Sequence, residues 1–85
     1  MNHLIFILQQ KKIKTYPAIL KVRIGQNTIT AIMSDGREVS IPIAWFPRLA
    51  KASAKELNHY EISPGGYGIY WPDIDEDISI KAFLD

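Results

Sequence analysis

"PAILKVRIGQNTITAIMSDGREVSI", residues 17 to 41, is the stretch that decides the fold. In its first eight residues Ala18, Leu20, Val22 and Ile24 share one face, with Lys21 and Arg23 on the other. That two-residue period predicts a half-buried strand. Gly25 and Asn27 tolerate positive φ and turn the chain. "TITAIM" is a second strand, and Asp35-Gly36 is a hairpin signal. "REVSI" follows, with Val39 and Ile41 inward and Arg37, Glu38 and Ser40 outward. The expectation is a three-stranded meander.

Beyond it, Pro42 and Pro47 break the pairing, and "AWFPRLAKA" predicts a helical turn with Pro47 in its first turn, where no N–H is needed. Ser53 and Glu56 have capping-box spacing, which predicts a short helix from about Ala54 to His59. "YEIS" and "YGIYW" predict two more strands around a Pro-Gly-Gly turn. The tail, "DISIKAFLD", reads as a helix with Ile80, Phe83 and Leu84 inward and Asp77 or Ser79 as its cap. The fold class is therefore α+β: an antiparallel sheet of four to five strands, with short helices between and after the strands. Residues 17–85 form one small domain, and residues 1–16 an N-terminal extension.

A chain of 85 residues with 47% hydrophobic and 22% charged residues has ordinary globular composition. It contains no cysteine, which excludes a disulfide framework and thiolate metal sites and fits a cytoplasmic location. "LIFIL" (Leu4–Leu8) is too short to span a bilayer, which takes about 20 residues, and lacks the basic leader of a secretory signal. With no polar alternation it predicts a strand that adds to the sheet edge and contributes to a homodimer. An intramolecular strand is the competing reading.

The net charge of +1 conceals an uneven layout. Residues 1–34 carry Lys11, Lys12, Lys14, Lys21 and Arg23 with no acid, a local sum of +5. Residues 61–85 carry Glu61, Asp73, Asp75, Glu76, Asp77 and Asp85 against Lys81, a local sum of −5. The two ends suit each other or, separately, charged partners.

Asp73, Asp75 and Asp77 match positions 1, 3 and 5 of a calcium loop, but Ile78 and Leu84 stand where that loop needs glycine and a bidentate Glu. Acid–base catalysis needs two carboxylates in contrasting environments, and these neighbours share one. Helix capping accounts for one or two of the acids, which leaves a surplus for a basic partner. Gly66-x-Gly68 is followed by Trp71 where the dinucleotide fingerprint needs its third glycine. Phosphate-loop, zinc-protease and nucleophile-elbow patterns are missing, and His3 and His59 are isolated in sequence. Trp45, Phe46, Tyr60, Tyr70 and Trp71 are expected at the core or its edge, with some exposed as interface anchors.

Two blocks, "SDGREVSIPIAWFPRLAKAS" and "GYGIYWPDIDEDISIKAFL", resemble the DUF2442 family of small bacterial domains. The likeness runs from Pro17 to Leu84. It rests on Asp35-Gly36-Arg37, Pro42, Trp45-Phe46-Pro47-Arg48-Leu49, Trp71-Pro72 and Asp75-Glu76-Asp77-Ile78-Ser79. Members often carry His where Tyr70 stands and Trp where Tyr60 stands. The resemblance implies a small α+β domain without established catalytic activity, and an antitoxin-like partner of a second small protein family. The surface expected to meet that partner comprises Trp45, Phe46, Arg48, Trp71, Asp73, Asp75, Glu76 and Asp77. The functional expectation is a non-catalytic protein-binding module with no cofactor and no metal. The alternative is weak phosphate contact through Lys11, Lys12, Lys14, Lys21 and Arg23.

Overall fold

The computed structural model describes residues 16–84. The first three strands are β1 (Ile19–Ile24), β2 (Thr28–Met33) and β3 (Glu38–Pro42), an antiparallel meander in the order β1-β2-β3. The central strand β2 is buried on both faces, with Ile29, Thr30, Ala31 and Met33 all inaccessible. Thr30 is the one polar side chain buried there among the described residues, and its hydroxyl meets that of Ser40 across the β2–β3 pair at 2.6 Å. That bond satisfies a group whose burial is otherwise costly.

Strand β1 departs from strict alternation. Ile19 pairs with Met33, but Lys21 already pairs with Ile32, so Leu20 is the extra residue of a β-bulge. A bulge sets two residues against one and flips the facing of everything before it. Ile19 and Val22 are consequently buried, whereas Leu20 is 63% exposed, against its expected inward place. The Asp35-Gly36 turn forms as expected: Gly36 has φ 94° and donates to the Met33 carbonyl at 3.0 Å. Asp35 accepts from the Arg37 amide and pairs with its guanidinium at 2.8 Å. The amide bond foremost, with the guanidinium, holds the Asp35 carboxyl below its usual range.

Pro42 ends β3 and a single 3-10 turn, Ile43–Trp45, leads into α1 (Pro47–Ala50), with Pro47 in its first turn. Helix α2 (Ala54–Leu57) has both halves of the capping box: Glu56 N–H donates to Ser53 Oγ at 3.1 Å, and Ser53 N–H donates to Glu56 Oε1 at 2.9 Å.

The second half is a separate three-stranded antiparallel sheet, β4 (Glu61–Ile62), β5 (Gly68–Trp71) and β6 (Glu76–Ser79), in the order β4-β5-β6. Two sheets of three strands thus replace the single sheet expected, because the helical segment between β3 and β4 interrupts the ladder. Strand β1 lies against β4, and β3 lies against the closing 3-10 turn Ile80–Phe83. A tight joint forms where Gly66 meets β1: a Cβ there would fall 2.7 Å from the Ala18 Cβ and from the Ile19 nitrogen.

Strand β6 corrects the expected C-terminal helix. Ile78 and Ile80 are both buried, two residues apart, which is the strand period. Only Ile80–Phe83 coils, as a 3-10 turn capped by Ser79, whose Oγ accepts from Lys81 N–H at 3.1 Å. Asp77 is a strand residue and caps nothing helical. Trp71, Ile29, Met33, Leu49 and Ile69, drawn from both sheets and α1, are the largest fully buried side chains of the shared core. Among the described residues no helix is long and apolar enough to cross a membrane. The Leu4–Leu8 strand and its homodimer lie outside the described residues.

Candidate functional site

The acidic block is a hairpin tip. Trp71 pairs with Glu76, so Pro72 to Asp75 form a four-residue loop between β5 and β6. Asp75 closes it in the left-handed region at φ 51°, which Asp tolerates better than most residues.

Three contacts fix this tip to the rest of the molecule. Arg48 of α1 donates from Nη1 to the Asp75 backbone carbonyl at 2.8 Å. His59 Nδ1 and Asp73 Oδ2 lie 2.9 Å apart. At its base, the buried Trp71 donates its indole N–H to the Leu57 carbonyl at 2.9 Å. Trp71 also packs against Tyr60, with ring centroids 6.3 Å apart, and the Tyr60 hydroxyl donates to the Val22 carbonyl at 3.1 Å. The tip is thereby tied to α1, to the end of α2 and to β1.

Arg48 bonds a carbonyl and not a carboxylate, so it anchors the loop without pairing directly with an acid. Glu76 bends its Oε1 onto the N–H of Asp77 at 3.0 Å. The Tyr70 hydroxyl reaches Asp75 Oδ1 at 3.5 Å, a long contact. Partial desolvation first, and the Asp75 charge next, raise the Tyr70 phenol above its ordinary ionisation range, so it remains a neutral donor. The arrangement displays negative charge on a hairpin tip held by three side-chain contacts.

Of the residues expected at a contact surface, Asp73, Asp75 and Asp77 are exposed, Glu76 is half-buried, and Arg48 is exposed beside them. Trp45 is 62% exposed on the turn before α1, with Phe46 half-buried against the core. Trp71 is the correction. At 0% exposure it presents no surface, and its part is to hold the hairpin in place. A Trp at the end of a strand whose alternate residue, Ile69, also faces inward carried that signal in the sequence.

Sequence reasoning missed the outer face of the second sheet. Tyr70 stands opposite both Glu61 and Asp77, and Gly68 opposite Ser79. A groove of about 340 Å³ opens beside these residues, lined by Ser63, Tyr67, Gly68, Tyr70, Asp77 and Ser79. Alternation from Ile69 and Trp71 places Gly68 and Tyr70 outward, but nothing in the spacing announces that Tyr67 is 65% exposed beside them. The His59–Asp73 pairing is equally silent in sequence, being fourteen residues apart.

Comparison with known proteins locates this architecture. A crystal structure of a protein of unknown function from Rhodospirillum rubrum superposes with a TM-score of 0.73 at 25% identity, covering 82% of this chain and 87% of that one. The solution structure of an uncharacterised protein from Chromobacterium violaceum gives a TM-score of 0.69 at 26% identity, over 93% of this chain and 71% of that one. No curated protein matches the chain. The family described as "Protein of unknown function (DUF2442)" matches residues 19–85, which takes in both sheets, the linking helices and the acidic hairpin. On that match the chain belongs to the DUF2442 family.

Proposed function

We propose that this protein is a non-catalytic binding module, the antitoxin-like member of a pair with a small toxin-like protein, acting in the cytoplasm. The observation that carries the reading is the hairpin tip: acids held in place by Arg48, His59 and Trp71. Pre-ordered charge binds without an ordering penalty and speeds encounter with an oppositely charged surface. Trp45 is the exposed aromatic on the neighbouring turn, the residue type that most often anchors such contacts. The partner's contact surface is basic. Asp73, Asp75 and Glu76 face it from the tip, while Asp77 lies on the adjoining strand.

The test is co-expression with the product of the neighbouring gene. Co-purification is expected, and Asp73→Asn/Asp75→Asn should slow association about tenfold at low salt, with a smaller effect at high salt. Failure of the two proteins to co-purify, with no effect of either on growth, refutes the reading. The phosphate-contact alternative is weaker. Arg23, one of its five cations, is paired with Glu38 at 3.1 Å. Retention on nucleic acid at low salt, lost at high salt, would favour it.

A further inference from the structure

We propose that the groove on the outer face of β4-β5-β6 receives the guanidinium group of an arginine side chain carried by another protein. Register puts its lining on one side of the sheet. Gly68 stands opposite Ser79 and Tyr70 opposite Asp77, so these positions share the outward face, and Ser63 and Tyr67 complete the wall. At about 340 Å³ the space is at the small end of the roughly 300–1,000 Å³ range of ligand clefts, enough for one side chain.

Tyr67 supplies the flat wall. A Cβ on Gly65 would fall 2.5 Å from the Tyr67 Cε2 and 2.9 Å from its Cδ2, so the ring lies against the Gly65 backbone where a side chain would otherwise stand. The ring is held in place while the residue stays 65% exposed, which leaves surface for a planar cation to stack on. Asp77 is the single carboxylate of the lining. The ion pairs among the described residues use Glu38, Asp35 and Asp73, and Asp77 enters none of them. One carboxylate matches one positive charge, and it also decides between the basic side chains. An ammonium is strongly hydrated and needs several acceptors to replace its water. The weakly hydrated guanidinium forks two N–H bonds onto one carboxylate and lays its face on a ring. Desolvation first, and then the charges of Asp75, Glu61 and Asp77, raise the Tyr70 phenol, so the field at the groove's edge is negative and draws a cation in. The two serines favour an arginine within a peptide over a free guanidine. Ser63 Oγ donates to the Gly68 carbonyl at 3.1 Å and keeps its lone pairs to accept, while Ser79 Oγ accepts from the Lys81 N–H and keeps its O–H to donate. A peptide unit offers one N–H and one C=O to such a pair.

The inference does not rest on the toxin-like partner, because the probes are small molecules and the tip acids Asp73 and Asp75 take no part. Isotope-labelled full-length chain is titrated with N-acetyl-arginine methylamide and followed by its amide chemical shifts. The amides of Tyr67, Gly68, Tyr70, Asp77 and Ser79 should move together and saturate in the millimolar range. The lysine counterpart, the uncharged citrulline counterpart and guanidinium ion alone should each bind about tenfold less tightly. Asp77→Asn should weaken arginine binding about tenfold and Tyr67→Ala about threefold, whereas Asp73→Asn/Asp75→Asn should leave it within about twofold. The proposal is overturned by absent shifts in the parent chain, by a lysine, citrulline or guanidinium probe that binds as tightly as the arginine one, or by unchanged binding in both Asp77→Asn and Tyr67→Ala.

Discussion

Gly66→Ala tests whether the joint between the two halves of the molecule is steric. The residue has φ 73°, so any Cβ incurs a left-handed penalty of about 1 kcal/mol. The new methyl would also lie 2.7 Å from the Ala18 Cβ and the Ile19 nitrogen and 2.8 Å from the Ile19 oxygen. Two of those three atoms are backbone, which cannot swing aside, and relieving such overpacking takes roughly 1–3 kcal/mol. The sum is about 2–4 kcal/mol, against a total stability for a domain of this size of roughly 4–13 kcal/mol. Gly36→Ala is the matched control: φ is 94°, and nothing lies within 4 Å of the added methyl. It should lose only the conformational part, about 1 kcal/mol. Urea unfolding followed by tryptophan fluorescence reads both, with an m-value near 1 kcal/mol/M. Gly66→Ala should therefore move the midpoint about 1–3 M further than Gly36→Ala. Equal shifts for the two variants would refute the claim that β1 and the Gly66 turn are in rigid contact.

Ser53→Ala removes one half of the capping box and should lower stability by about 1 kcal/mol in the same urea assay. Trp71→Phe leaves the Leu57 carbonyl without its indole donor and opens a gap in the core, so a loss of roughly 2–4 kcal/mol is expected by thermal unfolding. Asp35 carries a pH-dependent contribution. Its carboxyl titrates lower in the folded chain than in the unfolded one, so the contribution is present above the ordinary value of 3.8 and disappears as pH falls through the lower folded value. Asp35→Asn should flatten the stability profile in that acid window, as measured by urea midpoints at successive pH values, and an unchanged profile would count against the Asp35–Arg37 contact.

The local chemistry of the chain was legible wherever a short-range rule had no competitor. Asp35-Gly36 made its turn, Ser53 and Glu56 made their capping box, and Pro47 sat in a first turn. What sequence could not supply came from parity and from distance. The bulge at Leu20 reversed the facing of the residues before Val22 in a strand whose alternation looked unbroken, because pairing geometry with β2 decides which residue is extra. Ile78-Ser-Ile80 satisfies a strand period and Ile80, Phe83 and Leu84 a helical one; the hairpin pairing of Ile78 with Ile69 chose between them. At the candidate site the acids were visible as charge, but their support was not. Arg48 lies 27 residues from Asp75, and His59 lies 14 from Asp73. Trp71 was expected both at the core or its edge and on the contact surface, and its full burial leaves only the first place for it.

The carboxylate of Glu76 sits on the N–H of Asp77, on the side of β6 that faces away from β5. Pairing between backbones is indifferent to side-chain identity, so an open strand rim recruits whatever extended chain comes by. Here an incoming strand would have to displace a charged acceptor already in place and then leave it without its partner. Recognition at this hairpin consequently passes to side chains, whose charge and shape differ from one neighbour to the next. An adhesive rim is thereby turned into a discriminating one.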